Sequence, residues 1–147
     1  MRRHLYLCFL LAGLAVTSAT AEQQRTAPAR QSPFRLLATV KQVMTAITIP
    51  ASEVIFGAAA RESNTDAEWA AIVSNALVLA ESGNLLMLPG RNKDNGEWTK
   101  QSQDMIAAAS TTLKAAQGKN VNALMEASDR IYGTCEGCHD KYMKKTP

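Results

Sequence analysis

Between Pro33 and Tyr142, apolar residues recur every three to four positions, the spacing at which side chains share one face of an α-helix. Leu37, Val40, Met44, Ile47, Ala51 and Val54 form the first such stripe and predict a helix from about Phe34. Pro50 interrupts it. Proline lacks a backbone donor and disfavours helical geometry in the residue before it, so a kink or a break and restart is expected, with helix resuming to about Ala60. Thr65-Asp66-Ala67-Glu68 has the spacing of a capping box. Behind it, Trp69, Ile72, Ala76, Leu79, Gly83 and Leu86 predict a second helix to near Met87, ended by Pro89-Gly90. A polar turn follows over 89–95. The third helix is expected from Gly96 or Glu97, with Asn95 as its cap, through Trp98, Met105, Ala108 and Thr112 to about Gln117, where Gly118 stops it. Asn120 is placed to cap the fourth, whose stripe is Val121, Leu124, Ser128, Ile131, Cys135, Cys138 and Tyr142.

No run of strict polar and apolar alternation occurs, so no strand is expected. Four amphipathic helices joined by short links make an all-α, antiparallel four-helix bundle the economical fold, occupying residues 33–147. Ahead of it, Met1-Arg2-Arg3-His4 is a short basic start, Leu5 to Val16 is almost wholly apolar, and Ala19-Thr20-Ala21 is a small-x-small cleavage site. Together they read as a signal peptide over residues 1–21. Twelve apolar residues fall short of the ~20 that a spanning helix needs. The polar residues 22–32 lack periodicity and are expected to form a flexible segment.

Cleavage changes the charge and the inventory of ligands. The whole chain has 16 Lys and Arg against 13 Asp and Glu. Loss of Arg2 and Arg3 leaves 14 against 13, a formal charge of +1, which is no basis for a nucleic-acid partner or for stable membrane insertion. Cys8 and His4 depart as well. Every remaining Cys and His then lies in Cys135-Glu136-Gly137-Cys138-His139.

In an exported chain, two thiols three positions apart and followed by histidine read as a site of covalent c-type haem attachment. On a helix the two sulfurs share a face and can meet two vinyl groups, while the next residue turns its imidazole toward the iron. Structural zinc wants four Cys or His ligands, and only three are at hand. A thioredoxin-like pair belongs in a strand and helix alternation that is missing here. No second histidine is present as a general base, and no phosphate loop occurs, so an enzyme is not expected.

A leader, an all-helical chain of this size and the run Ile131-Tyr132-Gly133-Thr134-Cys135-Glu136-Gly137-Cys138-His139-Asp140-Lys141-Tyr142 on the last helix resemble the class II cytochromes c. That group holds cytochrome c-prime and its low-spin, methionine-ligated relatives. The resemblance implies one covalently attached haem c, with Cys135 and Cys138 as thioether anchors and His139 as the proximal iron ligand. It also implies a sixth ligand on the first helix, where Lys41-Gln42-Val43-Met44 matches and makes Met44 the candidate, with Met87 as the substitute. Where the group often has a basic residue four positions after the histidine, this chain has Met143, and Arg91 is the first alternative for a propionate contact. Two functions stay open. One is a periplasmic one-electron carrier with His/Met-ligated iron, serving redox partner proteins. The other is a nitric oxide or carbon monoxide binder with an open sixth site beside Val40, Val43 or Ile47. Pairing into a homodimer is a further option that the resemblance implies.

Overall fold

The computed structural model describes residues 33–143. The expected signal peptide and the segment 22–32 lie outside the described residues. Four long helices are present: α1 Val40–Ala59, α2 Asp66–Leu86, α3 Glu97–Gln117 and α4 Val121–Tyr142. No strand occurs among the described residues.

Helix α1 differs from the sequence expectation in two ways. It begins at Val40, not near Phe34, because Thr39 and Gln42 form a reciprocal cap: the Thr39 N–H donates to Gln42 Oε1 at 2.9 Å and the Gln42 N–H to Thr39 Oγ1 at 3.3 Å. Leu37 therefore precedes the helix and is 88% exposed. Nor does the helix break at Pro50. Instead Met44–Thr48 winds as a π-helix, and Thr48 and Ile49 both keep right-handed helical angles. Pro50 can donate nothing to the turn behind it, and its ring crowds the carbonyl there, so a wider turn accommodates it without a break. The extra residue rotates everything downstream by about 100° relative to a 3.6-residue count. Val43 and Thr48, five apart, are both buried, followed by Ala51, Ser52, Ile55, Ala58 and Ala59, while Val54 of the expected stripe faces outward.

The other three helices follow their predicted stripes. The Thr65–Glu68 capping box forms and starts α2, whose Trp69, Ile72, Ala76, Leu79, Gly83 and Leu86 are all buried. Helix α3 starts at Glu97 with a different cap from the one expected. Asp94 Oδ1 accepts from the N–H groups of Gly96, at 2.9 Å, and Trp98, at 3.0 Å, whereas Asn95 accepts from the Asn92 side chain. Asn120 caps α4 by accepting from the Ala123 N–H at 3.0 Å.

Consecutive helices pack side by side and α4 returns to α1, the arrangement of an up-down-up-down bundle. Ile55, Ile72, Leu79, Leu124 and Ile131 form its fully buried centre. Gly83 packs tightly against α3. A Cβ there would lie 2.6 Å from Ile106 Cγ1 and 3.0 Å from the Ser102 carbonyl oxygen. Val40–Ala59 and Asp66–Leu86 are long and apolar enough by composition to cross a membrane; in the bundle their inward faces supply much of the core.

The α1–α4 seam is uneven. Its second half, Ile49–Ala59, packs on α4, but no Cα in residues 40–48 comes within 8 Å of an α4 Cα. Because the two helices run antiparallel, this parted half lies opposite the C-terminal half of α4. That is where Cys135, Cys138 and His139 sit.

Candidate haem site

A narrow cavity of about 50 Å³ runs between the parted helices. Met44, Thr48, Ile49 and Ser52 line it from α1, Leu86 from α2, Gln101, Ser102 and Met105 from α3, and Thr134, Cys135, Cys138 and His139 from α4. The three-residue spacing of the cysteines places them one above the other on the inward face. Both are free thiols and half-buried. Burial pushes the Cys135 thiol up, partly offset by a hydrogen bond from Thr134. Burial also raises Cys138, reinforced by the charges of Cys135 and Glu97. Both sulfurs are thus held as neutral thiols at pH 7.

Gly137 lets the motif seat closely against α3. A Cβ at that position would come within 2.9 Å of Gln101 Nε2, and Gln101 is itself fixed by a 2.7 Å hydrogen bond to Glu97. The far end of α4 is held by Tyr142. Its hydroxyl donates to Asp94 Oδ2, and its ring meets Trp98 edge-on at 5.0 Å with an interplanar angle of 81°. Trp98 in turn donates its indole N–H to the Leu86 carbonyl at 2.9 Å. Burial and the bonded Asp94 push the Tyr142 phenol up to about 12, while the same bond, with the Trp98 N–H, lowers Asp94. One chain of contacts therefore ties the α2 terminus, the α3 cap and the end of the cysteine helix together.

Of the residues read from the sequence, Cys135, Cys138, His139 and Met44 all line this one cavity. Arg91 does not. It is only 8% exposed, with Nε donating to the Ala38 carbonyl at 3.0 Å and Nη1 to the Leu85 carbonyl at 3.2 Å. There it borders a separate groove with Leu36 to Lys41. The second methionine in the cavity wall is Met105, not Met87. Val40, Val43 and Ile47 are absent from the wall, and Tyr132 is largely exposed. Thr48, Ser52, Gln101 and Ser102 are wall residues that sequence reasoning missed. Only the register of the π turn and the α3 crossing bring them inward.

The donor set suits a covalently held haem. Two neutral thiols one turn apart share a wall with an imidazole, a thioether stands on the facing helix, and the two helices are already parted along that half. Thr48 adds a sign that the wall is built for a polar partner, because its buried hydroxyl oxygen has no hydrogen bond within the protein. Among the described residues, no group of three or more His, Cys, Asp or Glu side chains converges on a metal ion; the motif forms a wall and not a cage. Comparison with curated proteins and with solved structures finds no match. The family model described as cytochrome C' matches residues 26–143 and so spans all four helices and the motif. The chain is a member of the cytochrome C' family, which implies a covalently bound haem c.

Proposed function

We propose that this protein is a periplasmic one-electron carrier with a single haem c, its iron ligated by His139 and Met44. The observation that carries the reading is Met44, a thioether in the wall facing His139 across the parted α1–α4 seam. When bound, haem c would supply an iron that gains and loses one electron, and His139 and Met44 as its two protein ligands would let it do so with little rearrangement. The protein's part is to attach, orient and insulate. Cys135 and Cys138 would hold the group covalently, each S–H adding across one vinyl group of the haem to leave a thioether. The helical spacing of the pair would orient the group, and Gly137 packed against Gln101 closes one side of the site. Leu86, Met105 and Ile49 supply the apolar part of a wall that also carries Thr48, Ser52, Gln101, Ser102 and Thr134, and this mixed lining would help set the potential.

No catalytic role is proposed. The partners are redox proteins, with neither nucleic acid nor membrane insertion involved, and exposed Val54, Leu77 and Val78 offer apolar surface for a homodimer. An optical spectrum of the purified holoprotein tests the reading. Low-spin bands with a sulfur-to-iron charge-transfer band in the ferric state are expected, and Met44→Ala should abolish that band and give a high-spin, carbon monoxide-responsive spectrum. A parent protein that is already high-spin and binds carbon monoxide at once would instead make it a gas-binding member of the family.

A further inference from the structure

The π turn in α1 leaves one hydroxyl in an unusual position. Threonines in these helices return their hydroxyls to the carbonyl four residues back, as Thr111 does to Ala107 and Thr112 to Ala108 at 3.0 Å, and as Thr45, inside the π turn, does to Lys41 at 3.1 Å. For Thr48 that carbonyl belongs to Met44, and in the wider π turn it accepts from the Ile49 N–H. The Thr48 hydroxyl makes no such bond. It is 4% exposed, it lines the haem cavity, and it has no hydrogen-bond partner in the protein. Leaving a buried hydroxyl unpaired is costly, so a side chain held this way marks a partner that arrives with the ligand. Side chains on a helix lean toward its N-terminus, so Thr48 covers the turn that carries Met44. Ser52, Ser102 and Thr134, the other hydroxyls in the wall, already donate to the Ile49, Trp98 and Ile131 carbonyls at 2.9, 2.9 and 2.8 Å. Thr48 is left as the free donor beside the methionine.

We propose that Thr48 is the positioning residue of the sixth ligand, its Oγ1–H donating to the Met44 thioether sulfur in the haem-loaded protein. In the loaded protein the Met44 sulfur would keep a lone pair for the Thr48 hydroxyl beyond the one that it gives to iron. The bond selects one orientation of the thioether and slows its departure. This inference rests on the His139/Met44 reading. The π turn would then serve the site, since its register turns Thr48 into the cavity wall that also carries Met44.

The test uses holoprotein bearing Thr48→Val, which replaces the hydroxyl by a methyl of similar size, and Thr48→Ser, which restores it. Two readouts are followed: the position of the ferric sulfur-to-iron band, and the limiting rate of carbon monoxide binding to the ferrous protein, set by thioether dissociation. Thr48→Val should shift the band and raise the limiting rate on the order of three- to tenfold, the worth of one net hydrogen bond, while Thr48→Ser stays near the parent. A parent with the band and a Thr48→Val variant indistinguishable from it would overturn the hydrogen bond alone. A parent with no such band, unaffected by Met44→Ala, would overturn the ligand assignment and the positioning role together.

Discussion

Replacing Gly83 by alanine sets two opposed effects against each other where α2 packs tightly against α3. In a helix interior alanine is favoured over glycine by roughly 0.5–1 kcal/mol, because glycine loses more backbone freedom on folding. Against this, the new Cβ would stand 2.6 Å from Ile106 Cγ1 and 3.0 Å from the Ser102 carbonyl oxygen. Neither neighbour yields easily: Cγ1 is bonded directly to its own Cβ, and the carbonyl belongs to the α3 ladder. Overpacking of this kind costs about 1–3 kcal/mol, so the steric term wins and Gly83→Ala should destabilise by about 1–2 kcal/mol. For a domain of this size that lowers Tm by roughly 4–10 °C. Gly57→Ala in α1 is the control, since a Cβ there meets nothing within 4 Å, and it should stabilise by about 0.5–1 kcal/mol. Guanidinium and thermal melts of the holoprotein read both. Because Leu86, Ser102 and Met105 line the cavity that also holds Cys135, Cys138 and His139, Gly83→Ala should also perturb the haem spectrum, and Gly57→Ala should not. A Gly83→Ala protein as stable as Gly57→Ala would refute the close crossing and the packing argument with it.

Two further outcomes follow from the contacts that hold α4. Tyr142→Phe removes the donor to Asp94. The bonded form pairs a neutral phenol with an ionised carboxylate, so its contribution to stability is present between the two pKa ranges. It is lost as pH rises from the ordinary phenol value of 10.0 through about 12, and again as pH falls below the ordinary carboxylate value of 3.8. Melts of parent and variant should therefore differ at neutral pH and converge above pH 12; a difference that persists there would show that the phenol's proton plays no part. Asn120→Ala removes the cap of the cysteine helix and should cost about 1 kcal/mol, read as a lower guanidinium midpoint at unchanged slope. An unchanged midpoint would mean that the Ala123 N–H bond contributes nothing.

Much of this protein is legible along the chain. The stripes of α2, α3 and α4 match their buried faces because each helix runs at a regular 3.6 residues per turn with caps close in sequence. Thr65–Glu68 and Asn120 are local devices, and local devices can be read from neighbours alone. The attachment motif is local too, since its chemistry depends on a three-residue spacing and not on what lies across the bundle. Helix α1 departs from this rule. Its π turn changes the period midway, so Val54 falls outside and Thr48 inside, and no count of three and four could have shown it. Asp94 displaced Asn95 as the α3 cap because only the folded loop brings its carboxylate to both N–H groups and to Tyr142 of α4.

Sequence alone thus determined the helices, the cysteine face and the family resemblance, all of which rest on short-range spacing. Tertiary structure decided which half of the α1–α4 seam parts, which methionines share the wall with His139, and that Arg91 is committed to the Ala38 and Leu85 carbonyls. Those outcomes depend on contacts between residues far apart in the chain, where the geometry of one π turn and one glycine crossing sets the register.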